Sequence, residues 1–288
     1  MAWPVASELI DPIALRAWMD GRHLGSGELT NAALLVGGTQ NFLMRFNRSD
    51  VVYVLRRPPE HKRKNSDETM RRESRVLAAL AGSDVPHPAF IAGEPSLEVI
   101  GAAFFLMDHV DGFLATSEGL PQPHASDPAL QHRMGLSMVE AIAALGAIDH
   151  EAVGLADFGK PGYLERQVPR WRGQLESYSQ LAGYTGVQLP AADELGDWLE
   201  AHRPKHWKTG IIHGDFHIAN VLFSYESGDL AAVVDWELAT IGDPLIDLGQ
   251  LLAMWPSEGN PASLHGVNPG GFCSSDDLLH HYADNSER

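Results

Sequence analysis

Asp215, Asn220 and Asp235 are the residues of this chain whose types and spacing point most directly to chemistry. The first two fall in the string His213-Gly-Asp-Phe-His-Ile-Ala-Asn220, and the third ends the run Leu230-Ala-Ala-Val-Val-Asp235. Carboxylates and a side-chain amide offer hard oxygen atoms, which suit a magnesium ion that keeps most of its waters. A further carboxylate within reach of such a site can orient a hydroxyl and take its proton. Together these groups form the layout that holds Mg-ATP and activates a hydroxyl for phosphoryl transfer. Taken singly, each Asp or Asn is more often a turn cap. The joint pattern is much more specific: His-Gly-Asp, an Asn five residues on, a hairpin, then two apolar residues and an Asp.

The elements that must position these groups follow from local pattern. Ile211-Ile212 reads as the end of a buried strand, and Gly214 permits a tight turn, so Asp215 projects from a loop. Val221-Leu-Phe223 and Leu230–Val234 read as two short strands around the turn Ser227-Gly-Asp229. That hairpin returns Asp235 to the side of Asn220. Asp243 and Pro244 read as the cap and first residue of a helix, with Asp247 in its first turn as a brace for the loop. His213 and His217 have a spacing that suits zinc on a helix, but Gly214 argues for a loop there. His213 is expected to pack beneath the loop and fix its backbone.

Earlier in the chain, Leu34-Leu-Val36, Asn41–Phe46 and Val51–Arg56 read as an antiparallel meander. A helix over 67–81 follows, with Met70, Val76, Leu77 and Leu80 as its apolar stripe. Glu73 falls inside that stripe, where a carboxylate needs a partner. Ala89–Ala92 and the whole run Val99–Met107 read as strands. Helices are expected over 11–23, 128–149, 163–181 and 191–202. The chain therefore begins as a sheet with one helix and ends mostly helical, an α+β arrangement with a composition shift near residue 110. No G-x-x-x-x-G-K-[ST] string is present, which excludes a standard P-loop.

Composition narrows the function classes. The 288 residues carry a formal charge of -17, which argues against general nucleic-acid or acidic-membrane binding. The charge is uneven, because residues 43–75 hold ten Lys/Arg against five acids. One cysteine, Cys273, rules out an internal disulfide and fits a reducing compartment. The longest apolar run is too short to span a bilayer, and no secretory signal is visible. The expectation is a cytoplasmic protein with no membrane or nucleic-acid partner.

His213–Asn220, Val234-Asp-Trp-Glu237 and Gly242-Asp-Pro-Leu-Ile-Asp-Leu248 resemble the aminoglycoside phosphotransferase family, which includes choline- and homoserine-type kinases and kinase domains related to those fused to acyl-CoA dehydrogenases. The likeness extends through Gly37–Asn41, Val54–Pro58, Arg72-Glu73 and Phe105–His109, and so covers roughly residues 30–255. It implies a protein-kinase-like bilobal fold. Residues 1–108 would form a nucleotide-binding lobe, and residues 109–288 a mainly helical lobe for catalysis and acceptor binding. By the same resemblance Asp215 is the catalytic base, and Asn220 and Asp235 are the magnesium ligands. Glu73 pairs with the strand cation Arg56, a position where the family more often has Lys. Gly37, Gly38, Thr39, Gln40 and Asn41 form the loop over the phosphates. Asp108 to Val110 form the hinge whose backbone holds adenine, with Met107 at the rear of the pocket.

The resemblance implies transfer of the γ-phosphate of Mg-ATP to a hydroxyl of a small molecule. The acceptor stays open among a hydroxylated metabolite, an acyl thioester, an amino alcohol and an aminoglycoside. The alternative is a nucleotide-binding pseudokinase or regulatory module, motivated by Arg56 and by few helices after Trp255. Relatives commonly continue with more helices there, so the chain is either naturally short or cut short. An apolar face left bare by that shortness makes a homodimer one candidate for the oligomeric state.

Overall fold

Short runs rich in apolar residues build most of the first sheet. In the computed structural model, which describes residues 9–35, 42–181, 183–184, 191–257, 259–260, 262–264 and 266–286, five strands lie in the order β1-β2-β3-β5-β4. They are β1 (Leu29–Leu34), β2 (Phe42–Arg48), β3 (Val51–Arg57), β4 (Phe90–Glu94) and β5 (Phe104–Asp108), paired antiparallel throughout. Along β2, Met44 and Phe46 are buried while Leu43 and Arg45 on the other face are partly exposed. The buried face packs with Leu15, Trp18 and Met19 of helix α1 (Pro12–Asp20). On the opposite face Val54, Phe105 and Met107 share a core with Met70, Val76 and Leu77 of α2 (Ser66–Ala79). Covered on both faces, β5 reads as a continuous apolar run rather than an alternating one.

Two sequence expectations need correction here. The first strand begins at Leu29 rather than Leu34, and Val36 lies outside the described residues. β1 is an edge strand, mostly exposed and polar in its middle, so apolar content was a poor guide to it. The run Val99–Met107 is not one strand either. Its first part is a turn in which Gly101 adopts φ 71° and donates its N–H to the Leu97 carbonyl at 3.0 Å. Ile100, Ala102 and Ala103 are apolar because they are buried, not because they are extended.

The remainder is mainly helical. α3 (Pro128–Ala147) starts from the Asp127 side chain, which accepts the N–H groups of Ala129 and Leu130. It contributes Met134, Met138, Ile142 and Leu145 to the core that α2 also enters. α4 (Tyr163–Ser177), α5 (Ala192–Ala201), α6 (Leu245–Met254) and α7 (Ser275–Asn285) follow. Between them run short strands: β6 (Phe113–Leu114), β7 (Gly210–Ile212), β8 (Val221–Phe223), β9 (Leu230–Val233) and β10 (Thr240–Gly242). They pair as β6-β8-β9 and as β7-β10. No helix among the described residues is long and apolar enough to cross a membrane.

Candidate active site

β7 is three fully buried residues, and the chain turns sharply as it leaves them. Gly214 sits at φ 81°, and a Cβ there would lie 2.7 Å from the Leu238 carbonyl oxygen, so only glycine fits. Asp215 comes next and projects from the turn. The loop backbone is held from below. β7 pairs with β10, which leads directly into α6. The helix begins one residue later than expected, with Pro244 as its cap residue and Leu245 first, and the Asp243 side chain accepts the Leu245 N–H at 3.1 Å from just outside it. Asp247, wholly buried, then accepts the N–H groups of His213 at 2.6 Å and Gly214 at 2.9 Å. Burial pushes its carboxyl up to about 7, against those two bonds.

His213 braces the loop from within. Its Nδ1 accepts the Asp215 N–H at 3.3 Å, so Nε2 carries the proton and donates to the Val234 carbonyl at 3.0 Å. Edge-on contacts with Phe216 and Trp236 enclose the ring. Burial lowers its pKa to about 4, so the imidazole is neutral. In the unfolded chain it binds a proton near the ordinary histidine value. Between about pH 6.5 and 4 the unfolded state therefore holds more protons, and His213 costs the fold stability as pH falls. The expected result is that His213→Asn unfolds with a shallower loss of Tm across that window than the wild type, followed by calorimetry at fixed ionic strength.

The hairpin brings the polar groups together as expected. Val221 pairs with Val233, and the Val234 N–H donates to the Asn220 carbonyl at 3.0 Å. Asp235 follows at once, at φ 67°, a left-handed conformation that Asp tolerates better than most side chains. Asn220 turns its Nδ2 toward Asp215, donating to the backbone carbonyl at 2.9 Å and to Oδ2 at 3.0 Å. That leaves the side-chain Oδ1 of Asn220 as the atom able to face a cation. Three further nitrogens approach the site. Gln250 Nε2 donates to Asp215 Oδ1 at 2.7 Å, His217 Nε2 stands 3.7 Å from Oδ2, and Arg56 Nη2 donates to Asp235 Oδ1 at 2.7 Å. The neighbouring His217 ring, with Gln250 and Asn220 and against partial burial, holds the Asp215 carboxyl below the usual carboxylate range. It is ionised near neutral pH and free to accept a proton.

Arg56 ties the two parts of the site. Its Nε donates to Glu73 Oε2 at 2.9 Å, so the misplaced carboxylate of the α2 stripe has the expected partner. Its other arm reaches Asp235, a contact that sequence reasoning missed. A guanidinium offers both donors from one rigid fork, which an ammonium cannot. Burial works against the Arg56 charge, and the Glu73 and Asp235 carboxylates outweigh it. Burial raises Glu73 to about 7 despite the neighbouring guanidinium.

A cavity of about 470 Å³ opens beside these groups. Leu43, Val54, Met107, Val110 and Leu222 give it apolar walls, and Arg56, Glu73, Asn220 and Asp235 a polar end. Asp108 also lines it, with its backbone and side chain both bonded to Ala89 at 3.0 and 2.5 Å. Asp215 is not a wall of this cavity but is bonded to Asn220, which is. Gly37 to Asn41 lie outside the described residues.

Comparison with known proteins shows the family and the fold. The model of the phosphotransferase enzyme family matches residues 32–274. Acyl-CoA dehydrogenase family member 11 of Gallus gallus is 34% identical over 77% of this chain and 28% of its own length. Family member 10 of Mus musculus is 31% identical over 73% of this chain and 19% of its own. The chain thus spans well under half of these curated relatives. A homoserine kinase of Beijerinckia indica is 33% identical over 40% of this chain and 34% of its own. Among solved structures, a Ralstonia eutropha chain provisionally assigned as an aminoglycoside phosphotransferase superposes with a TM-score of 0.79. It is 32% identical and is matched over 96% of this chain and 81% of that one. The streptomycin–ATP–APH(2")-IIa ternary complex superposes with a TM-score of 0.60 at 17% identity, over 95% of this chain and 82% of that one, and shares the fold.

Proposed function

The chain belongs to the phosphotransferase enzyme family, and from that premise we propose that it transfers the γ-phosphate of Mg-ATP to a hydroxyl of a small molecule. The observation that carries this reading is the meeting of Asn220 and Asp235 at the polar end of an apolar cavity, with Asp215 bonded to Asn220 just outside its walls. In this reading an N-terminal lobe, residues 1–108, and a C-terminal lobe, residues 109–288, enclose the nucleotide. Adenine lies between Val54 and Leu222, with Met107 behind it and the Asp108–Val110 backbone at its edge. Arg56, held by Glu73, meets the phosphates.

The side-chain Oδ1 of Asn220 and the Asp235 carboxylate are a hard-oxygen pair that fits magnesium. When bound, the metal neutralises charge on the phosphate oxygens. Asp235 would leave the Arg56 guanidinium to serve it. Asp215 accepts the acceptor hydroxyl proton as the new O–P bond forms. The bond from the γ-phosphorus to the β-γ bridging oxygen breaks, and ADP departs with the electron pair. Catalysis on this account comes from positioning and charge neutralisation.

The relatives named as acyl-CoA dehydrogenase family members favour a hydroxylated acyl thioester as the acceptor class. Measuring ADP release with hydroxyacyl thioesters, amino alcohols and aminoglycosides tests this. Acceptor-dependent ADP release with the thioesters supports the reading, and release confined to aminoglycosides would replace it. A second reading, a nucleotide-binding module with little turnover, draws on the grip of Arg56 on Asp235. Nucleotide binding without ADP release under any acceptor would favour it. The reading also carries a cytoplasmic location and no nucleic-acid or membrane partner, in keeping with the net charge of -17.

A further inference from the structure

We infer that Gln250 is a positioning residue for the base, its side-chain amide fixing the direction in which Asp215 presents its carboxylate to the acceptor. This rests on the phosphotransfer reading above. Asp247 and Gln250 lie three residues apart on α6, so they project from the same side of the helix. Asp247 holds the backbone N–H groups of His213 and Gly214. One turn further, Gln250 Nε2 donates to Asp215 Oδ1 at 2.7 Å. An ionised carboxylate only accepts, which sets the amide with its nitrogen toward the base. One helix thus fixes both the loop backbone and the side chain at its tip.

The other nitrogens near the carboxylate, Asn220 Nδ2 and His217 Nε2, belong to the loop itself and move with it. Among the described residues, Gln250 is the contact that ties this carboxylate to an element outside the loop. The tie matters because the Asp215 side chain is 37% exposed and so is not locked by packing. The last torsion of an aspartate is broad and loosely held when nothing bonds to it. With Gln250 on Oδ1 and Asn220 on Oδ2, rotation of the group breaks a hydrogen bond whichever way it turns. A neutral amide does this without adding a full positive charge, which would weaken the carboxylate as a base.

The experiment uses the full chain with Mg-ATP and water as the acceptor, reading phosphate release. Gln250→Met removes the donor, and Gln250→Glu, close to isosteric, replaces it with a repelling carboxylate. Both are expected to lower kcat by about ten- to 100-fold, the scale of a misplaced catalytic group. KM for ATP should stay at the wild-type value, because Gln250 is not a wall of the nucleotide cavity. The decisive arm adds Gln250→Met to Asp215→Asn. If Gln250 acts through the base, the residual rate of that double variant stays within about twofold of Asp215→Asn alone. Wild-type kcat in both single variants, or an undiminished further loss in the Asp215→Asn background, would overturn the assignment. A folded wild type that releases neither phosphate to water nor ADP with any of the acceptors named above is a different result: it overturns the phosphotransfer reading and the inference with it.

Discussion

Replacing Asp215 by Asn is expected to lower kcat for phosphate transfer by about 10²- to 10⁴-fold, the usual contribution of a positioned general base. Asn keeps the size of the side chain and can still accept from Gln250 through its carbonyl oxygen. It cannot take the acceptor proton. KM for ATP should change little, since Asp215 lies outside the cavity walls, and Tm should stay close to the wild type because the carboxylate is partly exposed. Initial rates of ADP release over a range of ATP concentrations check both numbers. A variant that kept the wild-type kcat would remove Asp215 from the chemistry, whatever its place in the loop.

Asp247→Ala is expected to show the largest effect on stability. The carboxylate is fully buried and accepts two backbone N–H groups. Removing it leaves both donors without an acceptor in a dry environment, at about 1–3 kcal/mol each. Relief of the buried carboxyl offsets part of this, so a net loss of about 2–5 kcal/mol is expected, a large fraction of the 5–15 kcal/mol that holds a typical domain together. The pH dependence has a definite sign. With its pKa pushed up to about 7, folded Asp247 binds a proton that the unfolded chain has released by then. Its contribution to stability therefore declines as pH rises from about 4 to about 7. The difference in Tm between wild type and Asp247→Ala should narrow over the same range. Turnover should fall as well, because the loop that presents Asp215 has lost its support. Calorimetry at pH 5 and pH 8 separates this outcome from a pH-independent packing defect.

Much of the site was legible because its chemistry depends on short-range spacing. Asp215 and Asn220 lie five residues apart, and the hairpin that returns Asp235 is written in two apolar strands around Ser227-Gly-Asp229. Glu73 could be singled out because a carboxylate in an apolar stripe is costly without a partner, and Arg56 is that partner. Asp247 was legible as a brace because it lies in the first turn of a helix beginning next to the loop.

The contacts that escaped sequence reasoning join residues far apart and of unremarkable type. Gln250 is a neutral amide in an apolar helix, 35 residues from the Asp215 carboxylate it touches. The second arm of Arg56 spans 179 residues to Asp235, and nothing in β3 signals that one guanidinium serves two carboxylates. Strand limits failed for a related reason. β1 is polar because it is an edge, while Ile100 and Ala102 are apolar because they fill a core from within a turn. Burial and extension write the same residue types, and only the assembled fold separates them.

The most direct test of the account is thermal unfolding with ATP, with and without magnesium, for the wild type and Asp235→Asn. A ligand at 100 times its Kd stabilises a fold by about 2.7 kcal/mol. The account predicts a magnesium-dependent rise in Tm for the wild type that Asp235→Asn loses, while the variant alone remains folded. A rise of equal size in both proteins, or no rise in a wild type shown to be folded, would contradict it.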